Sequence, residues 1–127
     1  MIELSIKTTK RTQAINITSQ VTHAIRKREG SLLHIYTPHT TCGLIINEEA
    51  DPDVIGDIMA VLDRMAPADY PYAHLEGNSD AHIKAVLTGS SVSIPLSGGG
   101  LNLGTWQGIF FMEFDGPRER KVTITVI

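Results

Sequence analysis

The stretch Trp106–Phe114 constrains this chain most, because Gly108-Ile109-Phe110-Phe111-Met112 puts large apolar side chains on both faces of anything extended. Such a run needs cover, from helices of the same chain or from another copy. Strand patterns lie on either side of it. Ile2, Leu4 and Ile6 alternate with Glu3, Ser5 and Lys7, the period-two pattern of a strand with one buried face. Residues 13–17 read as its hairpin partner, Ser31–Thr37 and Gly43–Asn47 as interior strands, and Ser91–Leu96 as another. Ser97-Gly98-Gly99-Gly100 reads as a turn or loop, and Lys121–Ile127 alternates as a final strand after the Asp115-Gly116-Pro117 turn.

Three helices fit between these strands. Thr18 or Ser19 offers a side-chain oxygen to cap a short helix carrying Val21, Ala24 and Ile25, which Gly30 ends. Asp51-Pro52 is a strong start, since Asp caps and Pro at the first helical position gives up an N–H that had no partner. Val54, Ile55, Ile58, Val61, Leu62 and Met65 then form an apolar stripe, with Asp53, Asp57 and Asp63 on the solvated side. Asn78 caps a third helix over 79–88, which Gly89 terminates. The order β-β-α-β-β-α-α-β-β-β, without repeat or linker, predicts one α+β domain over residues 1–127 around a mixed or antiparallel sheet.

A chain of 127 residues buries enough core to need no covalent staples, and its single cysteine, Cys42, has no internal partner. No basic-plus-apolar leader opens the chain, so a cytoplasmic location is expected. No apolar run approaches the roughly 20 residues of a membrane span. A net charge of −3 argues against general nucleic-acid binding.

Five histidines carry the functional interest, because imidazole is both the near-neutral acid–base group and the commonest metal ligand. His23 and His34 read as surface or packing residues. His39, His74 and His82 sit in loops or in the first turns of a helix, where side chains are exposed. Three imidazoles and a water would complete a catalytic-type zinc site if the fold gathers them. Glu48 or Glu49, following the apolar Leu44-Ile45-Ile46, is placed to point into a cleft. Asn78 and Asp80 either serve the histidines or simply cap and charge-match a helix. Cys42 reads as a small packing residue. Arg118 and Arg120, beside a tight turn, suit bidentate phosphate binding or local ion pairs.

Pro38-His39-Thr40-Thr41, Ile46-Asn47-Glu48, Tyr72-x-His74, Asn78-x-x-x-His82, Leu103-Gly104-Thr105-Trp106-Gln107 and Glu113-x-Asp115-Gly116-Pro117-Arg118 occur in one order over nearly the whole chain. Together they strongly resemble the YjbQ-like family, also called the secondary thiamine-phosphate synthase family. The resemblance implies a compact α+β fold with a large mixed sheet, assembled as a homotrimer with pockets at or near subunit interfaces. It also implies thiamine-phosphate synthase-like activity, joining a pyrimidine-methyl diphosphate to a thiazole phosphate with release of pyrophosphate. Carried over motif by motif, the expected catalytic residues are His39, Glu48, His82 and Arg118. Asn47, Asn78, Trp106, Gln107, Arg118 and Arg120 are expected to bind substrate, and His39, His74 and His82 a divalent metal, zinc or magnesium. Where this family often has alanine, this chain has Cys42, which supports packing over nucleophilic chemistry. Expelling pyrophosphate needs concentrated positive charge, whereas three imidazoles with a glutamate resemble a zinc or proton-transfer site more than a magnesium–diphosphate site. Two expectations therefore stand: an enzyme acting on a small phosphorylated molecule, or a non-catalytic trimer that binds a metal or phosphometabolite.

Overall fold

A computed structural model describes residues 1–127. The strands are β1 (Ile2–Lys7), β2 (Gln13–Asn16), β3 (Leu32–Tyr36), β4 (Cys42–Glu48), β5 (Ser91–Ser97), β6 (Gly100–Leu101), β7 (Gln107–Glu113) and β8 (Glu119–Val126). The helices are α1 (Thr18–Ala24), α2 (Pro52–Met65) and α3 (Ser79–Thr88). One sheet runs β1-β8-β3-β5-β6 and the other β2-β7-β4. Every pairing is antiparallel, the second of the two sheet types expected from the element order, and the large mixed sheet implied by the resemblance is corrected to two antiparallel ones.

The apolar run becomes β7, the middle strand of the smaller sheet. Ile109 and Phe111 face the larger sheet and join Leu33, Ile35, Leu44, Val122 and Ile124 in the main core. Phe110, Met112 and Phe114 face the other way, where Ile55, Ile58, Met59 and Leu62 of α2 and Ala81 of α3 cover them. Cover on both sides thus comes from within the chain.

The expected hairpin between the first two strands does not form. β1 pairs with β8, and β2 with β7, so the 8–12 segment carries the chain from one sheet to the other. The expected turn over Ser97–Gly100 forms and leads into the short strand β6. Gly98 and Gly99, with φ of 60° and 79°, make a two-residue turn that pairs Ser97 with Gly100, and only residues free of a Cβ penalty adopt that pair of positive φ values cheaply.

Helix ends follow local chemistry only in part. Asp51 caps α2, accepting the Asp53 N–H at 2.9 Å, with Pro52 following as expected. Ile17 precedes α1 with no side-chain cap, and that helix stops at Ala24, well before Gly30. Of the α2 stripe, Val61 and Met65 are exposed, because the helix packs on the face of the smaller sheet through Ile55, Ile58, Met59 and Leu62 and buries only that side. No helix is long and apolar enough to cross a membrane.

The end of α3 crosses β4 closely. The Leu44 N–H donates to the Gly89 carbonyl at 3.0 Å, and a Cβ at Gly43 would collide with the Thr88 hydroxyl and come within 2.9 Å of the Gly89 oxygen. Gly43→Ala is therefore expected to lower stability by about 1–3 kcal/mol, read from the urea midpoint. A wild-type midpoint would show that the helix end gives way freely.

Candidate functional site

Three segments meet where β4 begins: the 37–41 loop, the start of α3, and the 115–118 turn. Between them lies a cleft of about 340 Å³ lined by Thr40, Thr41, His74, Glu76, Asn78, His82, Asp115 and Arg118, none of them hydrophobic. The His74 and His82 rings stand edge to face, 5.5 Å between centroids. Arg118 is half exposed; its Nε donates to the Asp115 carbonyl at 2.9 Å and its Nη2 to the Asp115 carboxylate at 3.2 Å. Those bonds leave the Nη1 donors without a protein partner. His74 lies 3.9 Å from the Glu76 carboxylate.

Asn78 stands at the start of α3 but does not cap it. Its Nδ2 donates instead to the Asp115 carboxylate at 2.9 Å, which leaves the buried Oδ1 without a partner. An N-cap residue that withholds its side chain from the helix is a conspicuous local cost, and here it binds α3 to the Arg118 turn.

His39 belongs to the neighbouring cleft, about 480 Å³, which it shares with His82, Thr40, Cys42 and Val86. Its Nε2 accepts the Lys121 backbone N–H at 3.0 Å, which forces the neutral ring's proton onto Nδ1. Burial, reinforced by the charge on Arg120, holds this imidazole below its usual value. His39 is therefore a neutral donor at Nδ1, not a base. No three His, Cys, Asp or Glu side chains are grouped to hold an ion. The expected metal set of His39, His74 and His82 is not assembled: one ring nitrogen is engaged by the backbone and the rings line two clefts. Cys42 is 1% exposed, and burial pushes its thiol up, as expected of a packing residue.

The remaining expected residues do not join this cleft. Glu48 ends β4 opposite Gln107, whereas Cys42, at the other end, is opposite Glu113. Seven extended residues put Glu48 about 20 Å from Cys42, which shares a cleft with His39 and His82. There Glu48 accepts the Asp51 N–H at 3.3 Å, beside exposed Asn47, Trp106 and Gln107. Glu49, the other acidic option, holds Asn16 at 2.9 Å and fills the space that Gly108 leaves open. Arg120, expected to bind substrate, is 2% exposed and paired with Glu113, so it is a structural cation of the interior. Thr40, Thr41, Glu76 and Asp115 also line the cleft and are not among the residues expected there. The signal of Thr40, Thr41 and Asp115 was present in the motifs, but short polar side chains in loops have no periodicity to betray them.

Asp80, 1% exposed, is likewise structural: it accepts both Nη atoms of Arg11 at 3.1 Å and lies 3.7 Å from buried Lys84. Burial pushes the Asp80 and Glu113 carboxyls up, but hydrogen bonds from Arg11 and from Arg120 with Thr8 outweigh it, and both end below the usual range. The unfolded chain consequently takes up these protons first. Stability is full above the ordinary carboxyl range, about pH 4, and is lost as pH falls through the lower native values. His39 has the same sign at higher pH, losing its contribution as pH falls below about 6.5. Urea midpoints are expected to decline in two stages, and His39→Gln to reduce the earlier one. An earlier decline untouched by that substitution would remove His39 as its source.

The class this structure defines is a two-sheet antiparallel α+β domain with an all-polar, histidine- and arginine-lined cleft at one end of its smaller sheet. The chain belongs to the YjbQ family: the family described as UPF0047 protein YjbQ-like matches residues 2–127. It is 47% identical to UPF0047 protein MJ1081 of Methanocaldococcus jannaschii, over 100% of this chain and 94% of that one. Against YugU of Bacillus subtilis the identity is 45%, covering 98% of this chain and 96% of the relative. The crystal structure of an uncharacterized YjbQ/UPF0047 protein from Clostridium acetobutylicum superposes with a TM-score of 0.96 at 50% identity, covering all of both chains. The conserved hypothetical protein TT1486 of Thermus thermophilus gives 0.94 at 41%, also over 100% of both chains.

Proposed function

We propose that this protein binds a small phosphorylated molecule in the cleft between the 37–41 loop, α3 and the 115–118 turn. The observation that carries the reading is the lining: eight polar residues, including an arginine with open Nη1 donors and two adjacent imidazoles. Asp115 spends its charge on Arg118 and Asn78, and the other carboxylate of the lining, Glu76, is exposed 3.9 Å from His74; the donors for an anion come from Arg118, the two imidazoles and the threonines. Arginine reads phosphate as a planar fork, and the threonine hydroxyls and ring N–H groups complete a set of neutral donors.

The finer reading is a thiamine-phosphate synthase-like transfer. In that reaction a thiazole nitrogen forms a bond to the pyrimidine methylene carbon while the carbon–oxygen bond to diphosphate breaks, and the electron pair leaves with pyrophosphate. Donors aimed at the departing group would stabilise its developing charge. His39, neutral with a proton on Nδ1, offers a donor from the neighbouring cleft, which shares Thr40 and His82 with this one. Glu48 can act here only if a second copy brings it, as in the homotrimer that the family resemblance implies. A binding-only trimer is the second reading, favoured by the distance of Glu48 from the cleft within one chain. No step is assigned to a metal, since the histidines do not form a ligand set.

Calorimetric titration with inorganic pyrophosphate tests the first reading, beside turnover of the two thiamine precursors and native mass on the same sample. His82→Ala is expected to weaken pyrophosphate binding about tenfold, the scale of one charge-assisted contact, with an unchanged melting profile. Binding that survives both His82→Ala and Arg118→Ala would place any phosphate site elsewhere. Tight binding without turnover would favour the binding-only trimer.

A further inference from the structure

Below the cleft lies an ion pair that lines none of it. Glu113, ending β7, is 0% exposed and Arg120, in β8, is 2% exposed. Arg120 Nε donates to the two Glu113 oxygens at 2.9 and 3.2 Å, and Nη2 donates to Oε2 as well. The same Nη2 reaches the Thr41 hydroxyl at 2.9 Å and its carbonyl at 3.2 Å. Glu113 in turn accepts the Thr8 hydroxyl at 2.8 Å and the Asp115 N–H at 3.1 Å. Thr8 Oγ1 accepts the Arg118 N–H at 2.9 Å. A single pair therefore reaches Thr41 on one wall of the cleft and both Asp115 and Arg118 on the other.

Buried pairs of this kind are poor sources of net stability, because desolvation consumes most of the attraction, and apolar side chains of similar size often replace them without loss. Orienting the polar groups around them is a use that apolar side chains cannot reproduce. We propose that Glu113 and Arg120 are positioning residues for the cleft: they hold Thr41 and the Asp115–Arg118 turn in the geometry that binds a phosphate group, without touching it. The proposal rests on the reading of the cleft as an anion site.

The test is the double variant Glu113→Leu/Arg120→Met, which removes both charges together. Pyrophosphate affinity is measured by calorimetry, and amide hydrogen exchange reports the turn. The expected result is a folded protein whose affinity falls about tenfold, the scale on which outer partners act on a bound group. Exchange at the Asp115 and Arg118 amides rises while amides of β3 keep their protection. A folded double variant with wild-type affinity and wild-type exchange at those two amides would overturn the proposal. If the wild type itself does not bind pyrophosphate, the anion reading of the cleft fails, and the exchange data alone decide the positioning role. Should the double variant not fold, Thr8→Val keeps both charges but removes the hydroxyl that links Glu113 to the Arg118 N–H. It should give the same two changes, and Thr8→Ser should restore both; unchanged affinity and exchange in folded Thr8→Val would again overturn the proposal.

Discussion

Replacing Arg120 with methionine while Glu113 remains is expected to lower stability by about 3–5 kcal/mol and to drop the melting temperature by roughly 10–25 °C. The carboxylate it leaves behind is wholly buried, and its remaining donors are the Thr8 hydroxyl and the Asp115 N–H. An uncompensated charge in that position must be neutralised by taking up a proton or by letting water in. The defect should accordingly shrink at acid pH, where Glu113 protonates in the variant. Urea unfolding at neutral and acid pH checks both parts. A loss below about 1 kcal/mol at neutral pH would mean that Arg120 is far better solvated than its position implies.

Phe111→Ala is expected to cost about 3–5 kcal/mol through lost apolar transfer and the cavity left behind. Phe111 is 0% exposed at the centre of β7, opposite Ile15 on one side and Leu44 on the other, and it packs toward the larger sheet. Strands paired on both sides cannot collapse inward to fill the void. Met65→Ala, on the exposed end of α2, should by contrast stay within about 0.5 kcal/mol. Equal effects from the two substitutions, measured as urea midpoints, would contradict this assignment of the core.

Local chemistry was most legible where one element reports on itself. Asp51-Pro52 marked the start of α2, residues 79–88 matched α3, and the apolar run marked β7 as a strand that needs cover. Partners were not legible. Ile2-Leu4-Ile6 and Ala14-Ile15 follow each other with a short polar link, the usual mark of a hairpin, yet they enter different sheets. The apolar pattern states which face of a strand is buried but not which strand lies beside it. Pairing with β8 and β7 is decided by how two sheets close around one core.

The candidate site divides along the same line. His39, Asn78, His82 and Arg118 could be picked out because imidazole, amide and guanidinium in loops and helix starts are visible as residue types. That His74 stands edge to face against His82, that Asn78 turns away from its helix to Asp115, and that Glu48 stands a strand's length away became visible only in three dimensions. Arg118 and Arg120 are the clearest case. Two residues apart, they are chemically identical in sequence, but Arg118 lies in the turn before β8 and lines the cleft, whereas Arg120 lies in the strand and is buried in the interior beside Glu113. The sequence alone determined the kinds of groups available and the faces they must bury, since those depend on neighbours a few residues away. Which of them share a cleft, and which spend their charge on each other, depended on contacts across the whole chain, and only the tertiary structure decided it.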